Sequence, residues 1–101
     1  MKLIEINMDR IIALCKKYKV KNLWVFGSIL TARFSDESDV DFSVNFDRPR
    51  LKETEWADNF FDFIYELEHL LQRKIDMVCD EAVKNPYFRK ELDVTKVLIY
   101  G

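Results

Sequence analysis

Glycine, proline, cysteine and histidine are all scarce in this sequence. The 101 residues contain 2 Gly, 2 Pro, 2 Cys and 1 His, which argues against a disordered or low-complexity chain. Cys15 and Cys79 form neither a CxxC pair nor a zinc-type spacing, so we expect two reduced core thiols in a cytoplasmic protein. With no membrane-length apolar run and no signal peptide, we expect no association with a membrane.

A large excess of charge of either sign is also lacking. The 16 basic and 18 acidic residues are well mixed and leave a net charge of −2, so no bulk field attracts a nucleic-acid backbone. We therefore do not expect nucleic acid as a direct partner. The one basic cluster, Lys16, Lys17, Lys19 and Lys21, fits either a solvated helix end or a phosphate-facing patch.

Hydrophobic periodicity predicts an alternation of helices and strands. Helices are expected over residues 3–17, 54–72 and 86–94, and strands over residues 23–26, 39–46 and 74–79. Thr54 and Asn85 are the expected N-caps of the second and third helices, and a short helix or turn is expected over residues 28–31. The order predicts one domain over residues 1–101, of the α/β or α+β class with a small sheet.

Two aspartates begin the most regular of these strands. In an extended chain Asp39 and Asp41 point to the same side, although like charges held together cost free energy. A divalent cation such as Mg²⁺ relieves that cost, and it takes carboxylate oxygens together with substrate phosphates. The plainer alternative is a solvated strand face that carries no metal.

A glycine–serine pair precedes these aspartates by a gap of ten residues. Where a strand ends at Gly27–Ser28, backbone N–H groups can approach an anion closely, although a simple strand-to-helix turn is the alternative. Phosphate donors and Mg²⁺ ligands together suit a nucleoside triphosphate. If the third strand lies beside the second, Asp76 joins Asp39 and Asp41, and three carboxylates support two metal ions; otherwise Asp76 is an exposed strand-edge residue.

At these residues the sequence resembles the DNA polymerase β-like nucleotidyltransferase superfamily, and in particular its minimal nucleotidyltransferase branch. The resemblance implies a small mixed β-sheet flanked by helices and Mg²⁺-dependent transfer of a nucleoside monophosphate, AMP from ATP. It also implies roles for five residues. Gly27 and Ser28 hold the triphosphate, Asp39 and Asp41 bind both metal ions, and Asp76 binds the catalytic metal and helps to activate the acceptor hydroxyl.

The chain departs from the family pattern after the serine. Many relatives carry an arginine three residues after it and then a glycine, whereas Thr31 and Ala32 stand at those positions here. Arg33, two positions further on than the expected arginine, is the candidate to contact a phosphate.

A chain of 101 residues has little room for an acceptor-binding domain, so we expect the acceptor to be held by another chain. The resemblance implies a helical HEPN-type protein, the toxin of a toxin–antitoxin pair, which receives AMP on a tyrosine. Two other functions stay open: neutralisation by docking alone, and transfer to a small molecule with a homo-oligomer completing the site. The aromatics Phe61, Tyr65, Tyr87, Phe88 and Tyr100 form either a second core face or a partner surface.

Overall fold

The computed structural model describes residues 1–101 and contains a four-stranded sheet in the order β3-β2-β1-β4. The strands are β1 (Val20–Phe26), β2 (Val40–Phe46), β3 (Ile75–Cys79) and β4 (Val97–Tyr100). The helices are α1 (Lys2–Ile6), α2 (Met8–Lys17), α3 (Trp56–Leu71) and α4 (Pro86–Thr95). Because β1 runs antiparallel to β2 and β4 while β3 runs parallel to β2, the sheet is mixed, as the sequence predicts.

Strand β2 lies inside the sheet because its alternating pattern buries one complete face. Val40, Phe42, Val44 and Phe46 are all buried, and they belong to a core cluster of 15 residues. Helices α2 and α3 cover this face with Ile11, Cys15, Phe63, Leu67 and Leu71. Burial raises the pKa of the Cys15 thiol to about 12, so this cysteine is an inert core residue, whereas Cys79 is half-buried.

Helix α4 covers the opposite face of the sheet. On this face Phe26 of β1 contacts Phe88 of α4, with ring centroids 6.0 Å apart, and Lys96 lies 4.0 Å from the ring centroid of Trp24. Leu92 of α4 is buried outside the main core cluster. The side of β2 that carries Asp41 and Ser43 therefore faces the same side of the sheet as α4.

Three boundaries differ from the prediction. The first helix is divided at Asn7, whose side chain donates a hydrogen bond to the Leu3 carbonyl at 2.9 Å. Strand β1 begins at Val20 rather than at the predicted Leu23, because Val20 pairs with Phe46. Thr54 does not cap α3, since a 3₁₀ turn over Glu53–Glu55 precedes that helix.

The apolar end of the chain forms a strand that the periodicity did not predict. Strand β4 has only 4 residues, and pairing with β1 makes it extended. In contrast, the predicted cap of α4 is confirmed: the side chain of Asn85 accepts hydrogen bonds from the backbone N–H groups of Tyr87 and Phe88. None of the helices combines the length and the apolar composition needed to cross a membrane.

A buried carboxylate ties α4 to the sheet. Asp80, which follows β3 and is 7% exposed, accepts hydrogen bonds from Ser43 Oγ at 2.8 Å and from Lys96 Nζ at 2.9 Å. Arg89 Nη2 donates to its other carboxylate oxygen at 3.1 Å. Burial favours the neutral acid, but the hydrogen bonds from Lys96 and Ser43 and the two nearby cations outweigh it, so the pKa of Asp80 lies below its ordinary value.

Replacing Asp80 by Asn should destabilise the fold by about 2–3 kcal/mol at pH 7, because Lys96 and Arg89 lose their buried anion. A carboxylate with a depressed pKa stabilises above its unfolded pKa of about 3.9 and loses that contribution as the pH falls through its folded pKa. The difference between wild type and variant in urea unfolding should therefore shrink below about pH 4.

The matched control is Asp36→Asn, which removes a fully exposed carboxylate 3.6 Å from Arg73 and should leave the urea midpoint unchanged. An Asp80→Asn midpoint equal to that of the control would contradict the stabilising role of Asp80.

Candidate active site

The three predicted carboxylates lie at the end of the sheet where β2 and β3 begin. Asp41 pairs directly with Asp76 in the parallel register, and Asp39 immediately precedes β2. The hydrogen bond from the Val40 N–H to the Lys74 carbonyl at 3.0 Å continues this pairing to the start of both strands. The condition set by the sequence, that the second and third strands be neighbours, is therefore met.

Asp41 is half-buried, whereas Asp39 and Asp76 are exposed. The pKa of Asp41 is raised above its ordinary value, chiefly by burial and then by the negative charges of Asp76 and Asp39. This end of the sheet consequently carries negative charge that the chain itself does not neutralise. A raised pKa of this origin is typical of functional sites.

Gly27 lies against Asp41 at the end of β1. Phe26 pairs with Asp41 across the antiparallel ladder, which brings the next residue beside that carboxylate. The backbone of Gly27 has φ +79°, and a Cβ at this position would lie 2.2 Å from Asp41 Oδ2. Only glycine combines this dihedral angle with such a close approach.

A 3₁₀ turn, Gly27–Leu30, follows β1 and carries Ser28. Thr31 closes it: its hydroxyl and its backbone N–H both donate to the Ser28 carbonyl, at 2.8 and 2.9 Å. The same hydroxyl accepts a bond from the Arg33 N–H at 3.2 Å. Thr31 thus has a structural role at the position where many relatives carry arginine.

A cleft of about 540 Å³ lies between this turn and α4. Gly27, Ser28 and Arg33 line it on the β1 side, so the structure brings the three predicted triphosphate-binding residues together. Asp39, Asp41 and Asp76 do not line the cleft; they lie beside it, with Asp41 next to Gly27. The remaining lining residues are Phe26, Leu30, Thr31, Phe88, Glu91, Leu92 and Thr95.

The three carboxylates are chemically suitable ligands for Mg²⁺, although their side chains are not pre-arranged as a metal site. All three offer the oxygen atoms that Mg²⁺ prefers, and the charges of Asp76 and Asp39 add to burial in raising the pKa of Asp41. No group of three or more His, Cys, Asp or Glu side chains is arranged as a metal site in the structure. The donor set fits a metal that is shared with substrate phosphates, which supply the missing ligands.

Comparison with known proteins identifies the family. The family described as polymerase beta, nucleotidyltransferase matches residues 9–101. The chain belongs to that family. The superfamily membership predicted from Gly27–Ser28 and the aspartates is thereby confirmed, as is the fold class.

Two proteins of Methanocaldococcus jannaschii, both named as candidate protein adenylyltransferases, are similar to this chain. One is 34% identical over 80 residues, which cover 76% of this chain and 74% of the relative. The other is 38% identical over 78 residues, which cover 77% of this chain and 74% of the relative. Together with the family match, they establish that the chain is a nucleotidyltransferase.

Solved structures with the same fold are more distant in sequence. One described as a minimal nucleotidyltransferase has a TM-score of 0.75 at 21% identity, with 95% of this chain and 92% of that chain covered. A toxin–antitoxin structure with AMP-PNP has a TM-score of 0.70 at 18% identity, with 94% of this chain and 73% of that chain covered.

Several residues of interest were not predicted. Asp80 was assigned no role, because its partners Ser43, Arg89 and Lys96 come from elements that only the fold brings together. Glu91 and Thr95 were also missed. Their spacing with Phe88 and Leu92 places all four on one face of α4, and this was the available signal.

The exposed aromatics decide one open alternative. Phe61, Tyr65 and Tyr87 are 64%, 68% and 85% exposed, so a second core face is the wrong interpretation for them. Phe88 and Tyr100 are half-buried, and Phe88 packs on Phe26.

Replacing Asp41 by Asn should raise the melting temperature at pH 7 by a few degrees, because it removes a charge that the folded state disfavours. A raised pKa means a penalty that is complete above the folded pKa and vanishes below the unfolded value of about 3.9. Thermal unfolding of both proteins from pH 7 to 3.5 should therefore show converging melting temperatures. A melting temperature for the variant below that of wild type at pH 7 would contradict the proposed cost of the Asp41 charge. Asp9→Asn, a change at an exposed aspartate, is the control.

Replacing Gly27 by Ala should destabilise the chain by about 1–3 kcal/mol, because the left-handed dihedral angle disfavours any side chain and the new Cβ meets Asp41. Ser28→Ala in the same turn is the matched control and should unfold like wild type, since the Ser28 hydroxyl makes no hydrogen bond in the chain. Equal urea midpoints for Gly27→Ala and Ser28→Ala would show that the contact with Asp41 is loose.

Proposed function

We propose that the chain, as a single domain of residues 1–101, transfers AMP from ATP to a partner protein in an Mg²⁺-dependent reaction. One observation carries the proposal: Asp41 contacts the turn at Gly27 and pairs with Asp76, so phosphate donors and metal ligands adjoin. The similarity to relatives named as candidate protein adenylyltransferases supports AMP as the group transferred.

The triphosphate binds along the β1 side of the cleft. Gly27 lets phosphate oxygens approach the backbone N–H groups of the turn, and the Ser28 hydroxyl adds a donor. Arg33 is exposed at the same wall and forms no ion pair in the chain, so its guanidinium is free to bind phosphate oxygens in a bidentate manner.

The three aspartates would hold the metal. Asp39 and Asp41 would be ligands of both Mg²⁺ ions, and Asp76 would be a ligand of the catalytic ion. When bound, Mg²⁺ supplies charge neutralisation at the phosphates and lowers the pKa of a coordinated hydroxyl. Asp76 is exposed at the start of β3, where it can also orient the acceptor hydroxyl and receive its proton.

The reaction exchanges one phosphorus–oxygen bond for another. The acceptor oxygen forms a bond to the α-phosphorus, and the bond from that phosphorus to the oxygen bridging to the β-phosphate breaks. Pyrophosphate leaves with the electron pair of that bond, and the hydroxyl proton passes to a base. The chain's own contribution is to align the two ends of this displacement.

Exposed aromatic residues support a protein as the partner. Phe61 and Tyr65 lie on one face of α3, at 64% and 68% exposure, and large exposed aromatics are typical of interaction surfaces. A fold neighbour is a toxin–antitoxin structure. The resemblance to minimal nucleotidyltransferases implies a helical HEPN-type toxin that receives AMP on a tyrosine, and we include this partner, with the chain as its antitoxin, in the proposal.

Docking without catalysis is the second candidate, and Thr31 favours it. Thr31, which donates hydrogen bonds to the Ser28 carbonyl, occupies a position where many relatives carry a cationic side chain. One fewer cation at the turn weakens the binding of a triphosphate.

The transfer assay uses ATP labelled at the α- or the γ-phosphate, Mg²⁺, and a purified HEPN-type helical protein as the candidate acceptor. Label from α-phosphate, and none from γ-phosphate, should appear on the partner, because pyrophosphate leaves. EDTA should abolish it, and Asp39→Asn or Asp41→Asn should reduce it at least about 100-fold, a loss typical of removing a preorganised electrostatic group.

Glu5→Gln, an exposed change on α1, is the control and should transfer normally. Transfer by Asp41→Asn at the wild-type rate would refute the site. A partner neutralised equally by wild type and a folded Asp41→Asn protein would favour docking instead.

A further inference from the structure

Helix α4 presents a mixed face to the cleft opposite the proposed phosphate-binding turn. Phe88, Glu91, Leu92 and Thr95 are spaced along one side of the helix, and all four line the cleft. Phe88 and Phe26 are in contact, so two aromatic rings line this part of the cleft. Aromatic and aliphatic surface of this kind binds the flat faces of nucleobases.

The charges of the cleft give a bound nucleotide one direction. Arg33 and Glu91 are its two charged lining residues, they carry opposite charges, and neither forms an ion pair in the chain. Phosphates are attracted to Arg33 and repelled by Glu91. The phosphates therefore lie toward the Gly27–Ser28 turn, and the base lies toward α4.

The polar atoms of α4 that face the base accept hydrogen bonds. The Glu91 carboxylate only accepts, and it has no donor within the chain. The Thr95 hydroxyl donates its proton to the Glu91 carbonyl at 2.8 Å, so toward the cleft it offers lone pairs. The polar part of this wall consequently consists of two hydrogen-bond acceptors. A base with N–H groups at this edge pairs with them, whereas a base without such N–H groups leaves them unpaired.

We propose that Glu91 and Thr95 are specificity-determining residues, which select a nucleobase with an exocyclic amino group by accepting its N–H bonds. The inference rests on the proposed function, since it assumes that a nucleoside triphosphate occupies the cleft. It goes further in assigning the choice of base to α4 and the binding of phosphate to the β1 turn, two walls that can be tested separately.

The test is a competition experiment with the full chain and Mg²⁺. A ribose-labelled fluorescent ATP is displaced by ATP, by purine riboside triphosphate, which lacks only the amino group, or by inorganic tripolyphosphate. Wild type should bind ATP about tenfold more tightly than purine riboside triphosphate, because the latter has no amino group to pair with the acceptors of Glu91 and Thr95. Glu91→Met and Thr95→Val should each reduce that ratio toward one, because each variant lacks one of the two acceptors, while tripolyphosphate should bind both variants at least as tightly as wild type.

Each other result has a definite meaning. Equal binding of ATP and purine riboside triphosphate by wild type, or an unchanged ratio in a folded Glu91→Met protein, overturns the inference. In both cases, displacement by tripolyphosphate that is weakened in Arg33→Ala leaves the proposed function standing. If neither ATP nor tripolyphosphate displaces the probe, the proposed function fails and the inference fails with it. Glu5→Gln is the control for an exposed glutamate outside the cleft.

Discussion

Strand β2 holds Asp41 between two neighbours, and the rest of the site depends on this double pairing. The antiparallel ladder places Phe26, and hence Gly27, beside Asp41; the parallel ladder places Asp76 beside it. The core face of β2, with Val40 and Phe42 fully buried, fixes the register, since a slip of one residue would expose that face. Hydrophobic packing thus holds the carboxylates together despite their mutual repulsion, and burial, followed by the charges of Asp76 and Asp39, raises the pKa of Asp41.

The two faces of the sheet have different tasks. Helices α2 and α3 close the core on one face, whereas α4 lies on the other and forms a wall of the cleft. Asp80 connects these tasks, because it bonds to Ser43 on β2 and to Arg89 and Lys96 at α4 and its end. The polar face of β2 and the wall of the cleft are in this way held at a fixed spacing by one buried carboxylate. Such an anchor lets the acceptors of α4 and the donors of the turn face each other across a defined distance.

Local sequence patterns were sufficient to predict some elements of the fold and some residues of the candidate site, but not the others. The alternation along β2 and the side-chain cap at Asn85 depend on near neighbours in sequence, and both were predictable. Strand β4 was missed because its 4 residues become extended only by pairing with β1. For the candidate site, the residue types and spacing of Gly27, Ser28 and the three aspartates were evident, but the pairing of Asp41 with Asp76 was only a condition. Asp80 was missed because only the fold brings Ser43, Arg89 and Lys96 to it, and Glu91 was missed because the turn after β1, which forms the other wall of the cleft, is distant in sequence.

The central claim is that the carboxylates at the start of β2 and β3 hold the metal that accompanies the nucleotide. A crystal of the chain grown with Mn²⁺ and a non-hydrolysable ATP analogue, measured at the manganese absorption edge, tests it most directly. The account predicts anomalous peaks within about 2.0–2.4 Å of oxygens of Asp39, Asp41 and Asp76, with the triphosphate at the Gly27–Ser28 turn. Manganese bound by other residues, or a triphosphate bound away from that turn, would contradict it.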